Sequence, residues 1–209
     1  MKKRSIAAGI GLAVALTTLA GITPTPTAGA AGSATIADVL LSDSKKDDAN
    51  GFDRNWYDYD IVTQAVLLFP DLVAAASNPN ASLTVLAPND QAFRILVHDL
   101  TKKWVNTEAG VFAAVASLGT DTVKAILTYH IVGAALSPAA VLSSDNVAVT
   151  TLAGGTFTVD VINKRVAFVQ FVDGDPNARN PFLNRINVGG VLANGYIHGI
   201  DRVLRPIDL

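Results

Sequence analysis

The sequence predicts an α+β domain, with helices first and antiparallel strands last. Three observations carry that reading. Apolar residues recur at helical spacing through most of the first two-thirds of the chain. One early run, Leu83-Thr-Val-Leu-Ala87, is β-branched and apolar and reads as a short buried strand. From Val147 the apolar period changes to two. Helices followed by strands, without a break in composition, indicate one α+β domain.

The elements follow in order. Thr35-Ile-Ala-Asp38 is a capping-box start to a short helix through Leu41, with Asp in place of the usual Glu. Ser42 to Asp60 is polar, rich in Asp and aromatics, and reads as a loop. Asp60 is expected to cap a helix from Ile61 to Phe69, with Ile61, Ala65 and Leu68 on one face. Pro70 interrupts it and Asp71 to Ala76 resumes for a turn or two. Asn78-Pro79-Asn80 is a loop. Pro88 stops the early strand, and Asn89 caps a helix through about Leu100. Asp90 falls in its first turn, where the helix dipole favours an anion. Phe93, Leu96, Val97 and Leu100 form its apolar stripe. The next helix runs from Thr107 to about Leu118 and ends at Gly119. Thr120 is expected to cap another, which carries Val123, Ile126, Leu127 and His130 at helical spacing. Ser137-Pro138 opens a short helix to Leu142.

Three strands are expected at Val147–Leu152, Thr156–Ile162 and Arg165–Phe171, turning at Gly154-Gly155 and Asn163-Lys164. Asp173 to Pro181 is a polar loop. Two more strands, Ile186–Leu192 and Tyr196–Leu204, flank Asn194-Gly195, which reads as a hairpin turn.

Composition narrows the function. Of 209 residues, 50% are apolar and 16% charged, which suits a sizeable core and excludes wholesale disorder. The absence of Cys excludes disulfides, thiol catalysis and thiolate metal sites. Three His and one Glu leave few general bases. A net charge of −2 offers no basic excess for nucleic acid.

The N-terminus reads as a signal peptide over residues 1–30. Lys2, Lys3 and Arg4 form a positive start, Ile6–Leu19 is an uncharged run of 14 residues, and Ala28-Gly29-Ala30 fits a signal-peptidase site. The run is shorter than the roughly 20 apolar residues of a spanning helix. Cleavage after Ala30 removes those three cations and no acid, leaving 13 Lys+Arg against 18 Asp+Glu, a net −5. The expectation is a secreted, extracellular protein with no integral membrane segment after cleavage.

Three segments stand out together: Leu83-Thr-Val-Leu-Ala-Pro-Asn-Asp-Gln-Ala-Phe93, Ile126-Leu-Thr-Tyr-His-Ile-Val-Gly133, and Asn194-Gly-Tyr-Ile-His-Gly-Ile-Asp-Arg-Val-Leu-Arg-Pro206. In this order and spacing they resemble the first box, the Tyr-His box and the second box of the fasciclin (FAS1) domain. The resemblance extends over residues 34–207 and is to a secreted, single-domain bacterial member. It implies a β-wedge of two antiparallel sheets packed with several α-helices. It also implies a non-enzymatic binding module acting in cell adhesion or extracellular interaction, with a protein, glycan or matrix component as partner and no cofactor. Ser42–Asp60 and Thr101–Gly119 are expansions on which the resemblance is silent.

The boxes also make physical sense as folding signals. The first is strand, proline stop, Asn cap and helix. The last places Ile197 and Val203 on one face of a strand and Ile200 and Leu204 on the other.

No Gly-x-Ser-x-Gly elbow is present. His130 or His198 beside Asp90 or Asp201 is the remaining hydrolase arrangement, and no catalytic residue is assigned. The loop acids Asp43, Asp47, Asp48, Asn50, Asp53, Asp58 and Asp60 invite a Ca²⁺ reading. An EF-hand register with Gly51 sixth puts Lys46 first and Tyr57 last, so the motif fails. The loop is read as solvated and no metal ligand is assigned. Lys45–Asn50 is expected to be dispensable for folding, because closure entropy varies slowly with loop length.

The candidate partner contacts are Tyr129, His130, Trp56 and Tyr57. The family's Tyr-His pair has been linked to partner binding, whereas spacing places Tyr129 and His130 in the core. Phe52, Trp56, Tyr57 and Tyr59 are either a contact patch or a lid folded onto the domain. The alternative function is a small-molecule or lipid carrier with an apolar pocket.

Overall fold

The computed structural model describes residues 32–44 and 51–207; the expected signal peptide and Lys45–Asn50 lie outside them. Helix α1 (Ile36–Ser44) opens on the predicted capping box. The Thr35 amide donates to Asp38 Oδ2 at 2.8 Å, and the Asp38 amide donates back to Thr35 Oγ1 at 3.3 Å. Helices α2 (Asp60–Leu67) and α3 (Pro70–Ser77) follow, with Pro70 at the start of α3, where a missing N–H costs nothing. Strand β1 (Leu83–Pro88) is buried along its whole length.

Helix α4 (Asp90–Thr101) is capped by Asn89, whose side chain accepts the Ala92 amide. Thr107 caps α5 (Glu108–Ala116) through the Gly110 amide. Helix α6 (Thr120–Tyr129) leads into β2 (Ile131–Val132), and Ser137 caps α7 (Pro138–Val141). Then come β3 (Val147–Thr150), β4 (Thr156–Asn163), β5 (Phe168–Val172), β6 (Leu183–Arg185) and β7 (Gly195–Ile200).

Two sheets form, in the orders β2-β1-β7-β6 and β3-β4-β5. The α+β class and the two-sheet wedge agree with expectation. The pairing inside the larger sheet does not: β1 and β7 run parallel from Leu83↔Gly195 to Pro88↔Ile200, so this sheet is mixed. The physical reason is the long excursion between them. The whole of α4 to β6 separates the two strands, which is ample for a parallel crossover.

The parallel pair divides the interior into two cores. Val85, Ala87, Ile197 and Val203 join the helices, while Leu86, Ile200 and Leu204 face the second sheet with Phe157, Val159, Val169 and Phe171. The two-faced burial expected of the last box is therefore present, although β7 ends at Ile200 and Val203 and Leu204 lie beyond the strand.

Four local expectations are corrected. Asp60 does not cap α2; it is the helix's first residue, and the Ile61 amide instead donates to Asp90 Oδ1 at 2.9 Å. Thr120 is the first residue of α6, and Gly119 holds the cap position at φ 92°. Ile186–Leu192 is not a strand: β6 lies earlier, at Leu183–Arg185. Asn194-Gly195 is not a hairpin turn. Asn194 is buried, and its side chain accepts the Ile36 amide at 2.9 Å and donates to the carbonyls of Ala76 at 2.7 Å and Asn78 at 3.1 Å. Gly195, at φ 142°, enters β7 so close to β1 that a Cβ would sit 1.8 Å from the Leu83 carbonyl oxygen.

Candidate functional site

Tyr129 and His130 end α6 inside the molecule. The Tyr129 hydroxyl donates to the Thr156 carbonyl at 2.6 Å. Its ring lies so close over Gly155 that a Cβ there would meet it at 3.0 Å. His130 is 3% exposed. Its Nδ1 lies 2.8 Å from the Ile126 carbonyl, and its Nε2 accepts the Leu204 amide at 2.8 Å. A carbonyl can only accept and an amide only donate, so the proton sits on Nδ1. Burial keeps the ring neutral, with its pKa lowered to about 4.

His198 is the mirror case. Nδ1 accepts the Asn187 amide at 3.1 Å, Nε2 donates to the Leu136 carbonyl at 2.9 Å, and burial again lowers the pKa. Asp90 and Asp201 are turned to main-chain amides, those of Ile61 and Phe182. Both nitrogens of both rings are thus occupied by backbone, and these groups form no acid–base relay.

The aromatic loop divides between the two roles expected of it. Tyr59 is buried, and Phe52 folds back on Phe112 with ring centroids 5.8 Å apart. Trp56 is half-buried against the helical core, and Tyr57 is 75% exposed. The loop backbone is itself fixed to the start of α4: the Asp90 and Gln91 amides donate to the carbonyls of Asp58 and Trp56 at 3.1 and 2.8 Å.

The fold adds partners that loop spacing could not indicate. The Arg94 guanidinium lies 4.7 Å from the Trp56 ring centroid and 5.2 Å from that of Trp104. Arg94 is held there by the Val105 carbonyl at 2.9 Å and Asn106 Oδ1 at 2.7 Å. His98 stacks on Trp104 at 4.0 Å. Trp104 itself is 53% exposed, with Lys102 and Lys103 exposed beside it. The left-handed turn at Lys102, φ 59°, folds Trp104 back alongside α4. The available signal was a Trp within the Thr101–Gly119 expansion. The resulting stack is Trp56, Arg94, Trp104 and His98, aromatic and cationic, and the exposed Tyr57 follows Trp56 in the chain.

The acids gather at the helix starts. Asp60, Asp90 and Glu108 are buried in the first turns of α2, α4 and α5. Glu108 Oε2 accepts the Arg54 amide at 2.8 Å. Burial, outweighing the Ile61 amide at Asp90, pushes the carboxyls of Asp58 and Asp90 well above the ordinary value. Asp58 and Asp60 were visible in the loop; their meeting with Asp90 and Glu108 is a product of the fold. These four acids, with Asp53, are the residues placed to hold a metal ion.

Two cavities bear on the carrier reading. The apolar cleft among α1, α2 and α3, lined by Leu40, Val66, Leu67 and Val73, measures about 20 Å³. That is close to the space of a single water. The larger groove, about 410 Å³, is open and edged by Ser42, Asp43, Tyr59 and Arg185 as well as Val39 and Val188.

The chain belongs to the fasciclin domain family, whose model matches residues 61–206. Among solved structures, it is similar to a FAS1 domain pair from the insect cell adhesion molecule Fasciclin I. The TM-score is 0.57 at 17% identity, over 82% of this chain and 51% of that one. The chain therefore spans about half the length of that neighbour, and the likeness is one of fold. No curated protein matches this sequence. Fasciclin domains occur in secreted or cell-surface proteins and are in general non-catalytic binding modules. Among the described residues no helix is long and apolar enough to cross a membrane by itself.

Proposed function

We propose that this protein is an exported, non-enzymatic adhesion-type module that binds a protein, glycan or matrix component at a cell surface through the Tyr57–Trp104 face. The observation that carries this reading is the exposure of two large rings on a rigid support. Aromatic side chains of this kind supply most of the energy in small contact patches, and here Arg94, lying over both Trp56 and Trp104, fixes the orientation of the Trp104 ring in advance. Tyr129 and His130, being enclosed, support the face only through the fold. The lipid-carrier alternative is disfavoured by the size of the apolar cleft. Catalysis is disfavoured by the full occupation of both histidines.

The test is a matrix and glycan array with the purified protein, followed by Tyr57→Ala and Trp104→Ala. Either variant is expected to weaken binding at least tenfold while melting within a few degrees of the parent. Unchanged binding in both would remove the face from consideration. Export is tested by mass spectrometry of the culture supernatant: the secreted chain is expected to begin at Ala31, and a retained Met1 would refute the signal peptide over residues 1–30.

A further inference from the structure

The acids at the starts of α2, α4 and α5 have a geometry that the binding reading does not use. One carboxylate oxygen from each of Asp58, Asp60 and Asp90 lies within 4.8 Å of the other two, and the same holds for Asp53, Asp60 and Glu108. A calcium ion holds its oxygens at about 2.3–2.6 Å, so any two of its ligands lie within about 5 Å of each other. Each trio has the spacing of one coordination shell, and Asp60 belongs to both.

Spacing alone is common among acids; the buried end of Asp90 is what points to a ligand. Asp90 is completely buried. Oδ1 accepts the Ile61 amide, but Oδ2 is enclosed without a donor. Its neighbour is Asp58, whose Oδ1 is enclosed without a donor as well. Enclosed carboxylates within 4.8 Å of each other need something positive between them, either a shared proton or a cation. The charged groups acting most strongly on the pair are Asp43 from α1, Asp53 from the loop, Asp60 from α2 and Glu108 from α5, all of them acids.

We propose that Asp58, Asp60 and Asp90, with Asp53 and Glu108 alongside, form a binding site for a divalent cation of the calcium type. The donor set is oxygen alone, which matches a hard cation. Asp53 is exposed and Asp58 half-exposed, which leaves a route in from solvent. The ion takes the place of the proton shared by Asp58 and Asp90, and that proton passes to the buffer.

The experiment is a thermal melt near pH 7 in CaCl2, against NaCl of equal ionic strength and against MgCl2. Millimolar CaCl2 is expected to raise the melting temperature by several degrees, and MgCl2 by less. Calorimetric titration with CaCl2 in two buffers of different ionisation enthalpy is expected to show about one proton released per ion. Asp90→Asn keeps an acceptor for the Ile61 amide and offers an amide donor to Asp58, so it is expected to fold and to lose the calcium response. Asp58→Asn, at a half-exposed position, should lose it too. Coincident parent melts in CaCl2 and matched NaCl would overturn the site, leaving the pair to hold a proton alone. A full calcium response in both variants would overturn it equally.

Discussion

The Nε2 of His130 accepts the Leu204 amide at 2.8 Å, joining residues 74 positions apart inside the wedge core. The other ring nitrogen holds the Ile126 carbonyl, so one side chain ties the end of α6 to the segment that follows β7. Replacing it with alanine leaves a buried amide without its acceptor, at a cost of about 1–3 kcal/mol. His130→Ala is therefore expected to lower the melting temperature by roughly 2–8 °C. If partner binding is also lost, it should return under conditions that restore folding. A variant that melts like the parent but no longer binds would make His130 a contact residue and refute the structural role.

Much of this was legible in the sequence, for reasons that are local. The Thr35–Asp38 box, the Asn89 and Ser137 caps and Pro70 act within one turn of chain, and each appears where spacing put it. The two faces of β7 followed from alternation. What failed depended on distant chain. Asn194-Gly195 carries hairpin chemistry, yet both residues serve contacts to Ile36, Ala76 and Leu83. Asp60 has cap chemistry, but the carboxylate that receives the Ile61 amide comes from α4. At the candidate site the loop aromatics were visible, whereas Arg94, Trp104 and the Asp58–Asp90 contact required the fold.

The buried histidines and the buried acids give opposite pH dependences. His130 has a folded pKa of about 4 against an ordinary 6.5. Between these values the unfolded chain binds the extra proton, so stability rises with pH across this window and is lost on acidification through it. The size of the effect is up to about 3 kcal/mol. Asp58 and Asp90 are raised above 3.8, so their contribution is full below that pH and declines as pH rises toward neutrality. Asp90→Asn removes the second trend only. In urea melts without added metal, its stability relative to the parent is expected to increase steadily from pH 4 to pH 8. A flat or falling difference would show that the pair shares no proton.

Asn194 and Gly195 should be intolerant, although a loop turn would not be. Asn194→Ala strips one acceptor and two donor contacts at once, from the start of α1, from Ala76 near the end of α3 and from Asn78 just beyond it. The expected loss is at least about 3 kcal/mol, seen as a fall of roughly 6–12 °C in the melt. Gly195→Ala meets the Leu83 carbonyl directly and should prevent the parallel β1–β7 pairing. Near-parental melts for both would restore the hairpin reading.

Arg205 provides the last test, because it closes the chain end onto the helices through charge. Its amide donates to Asp173 Oδ2 at 2.8 Å, and its guanidinium reaches Asp175 Oδ2 at 3.4 Å and Asp99 Oδ2 at 2.6 Å. The Arg205 and Asp175 side chains are 9% and 1% exposed, so the pair is shielded from salt in a way that the surface Lys124–Asp71 pair is not. Removing one member of a buried pair strands the other charge and costs about 3–5 kcal/mol. Arg205→Met keeps much of the side-chain volume and removes only the guanidinium, so the loss it shows reports on charge. It is expected to destabilise by that order, and Asp175→Asn in the same background should recover part of the loss by removing the stranded carboxylate. Lys124→Met, breaking the exposed pair, should leave stability nearly unchanged. Equal effects of Arg205→Met and Lys124→Met in denaturant melts would show that burial does not strengthen the C-terminal clamp.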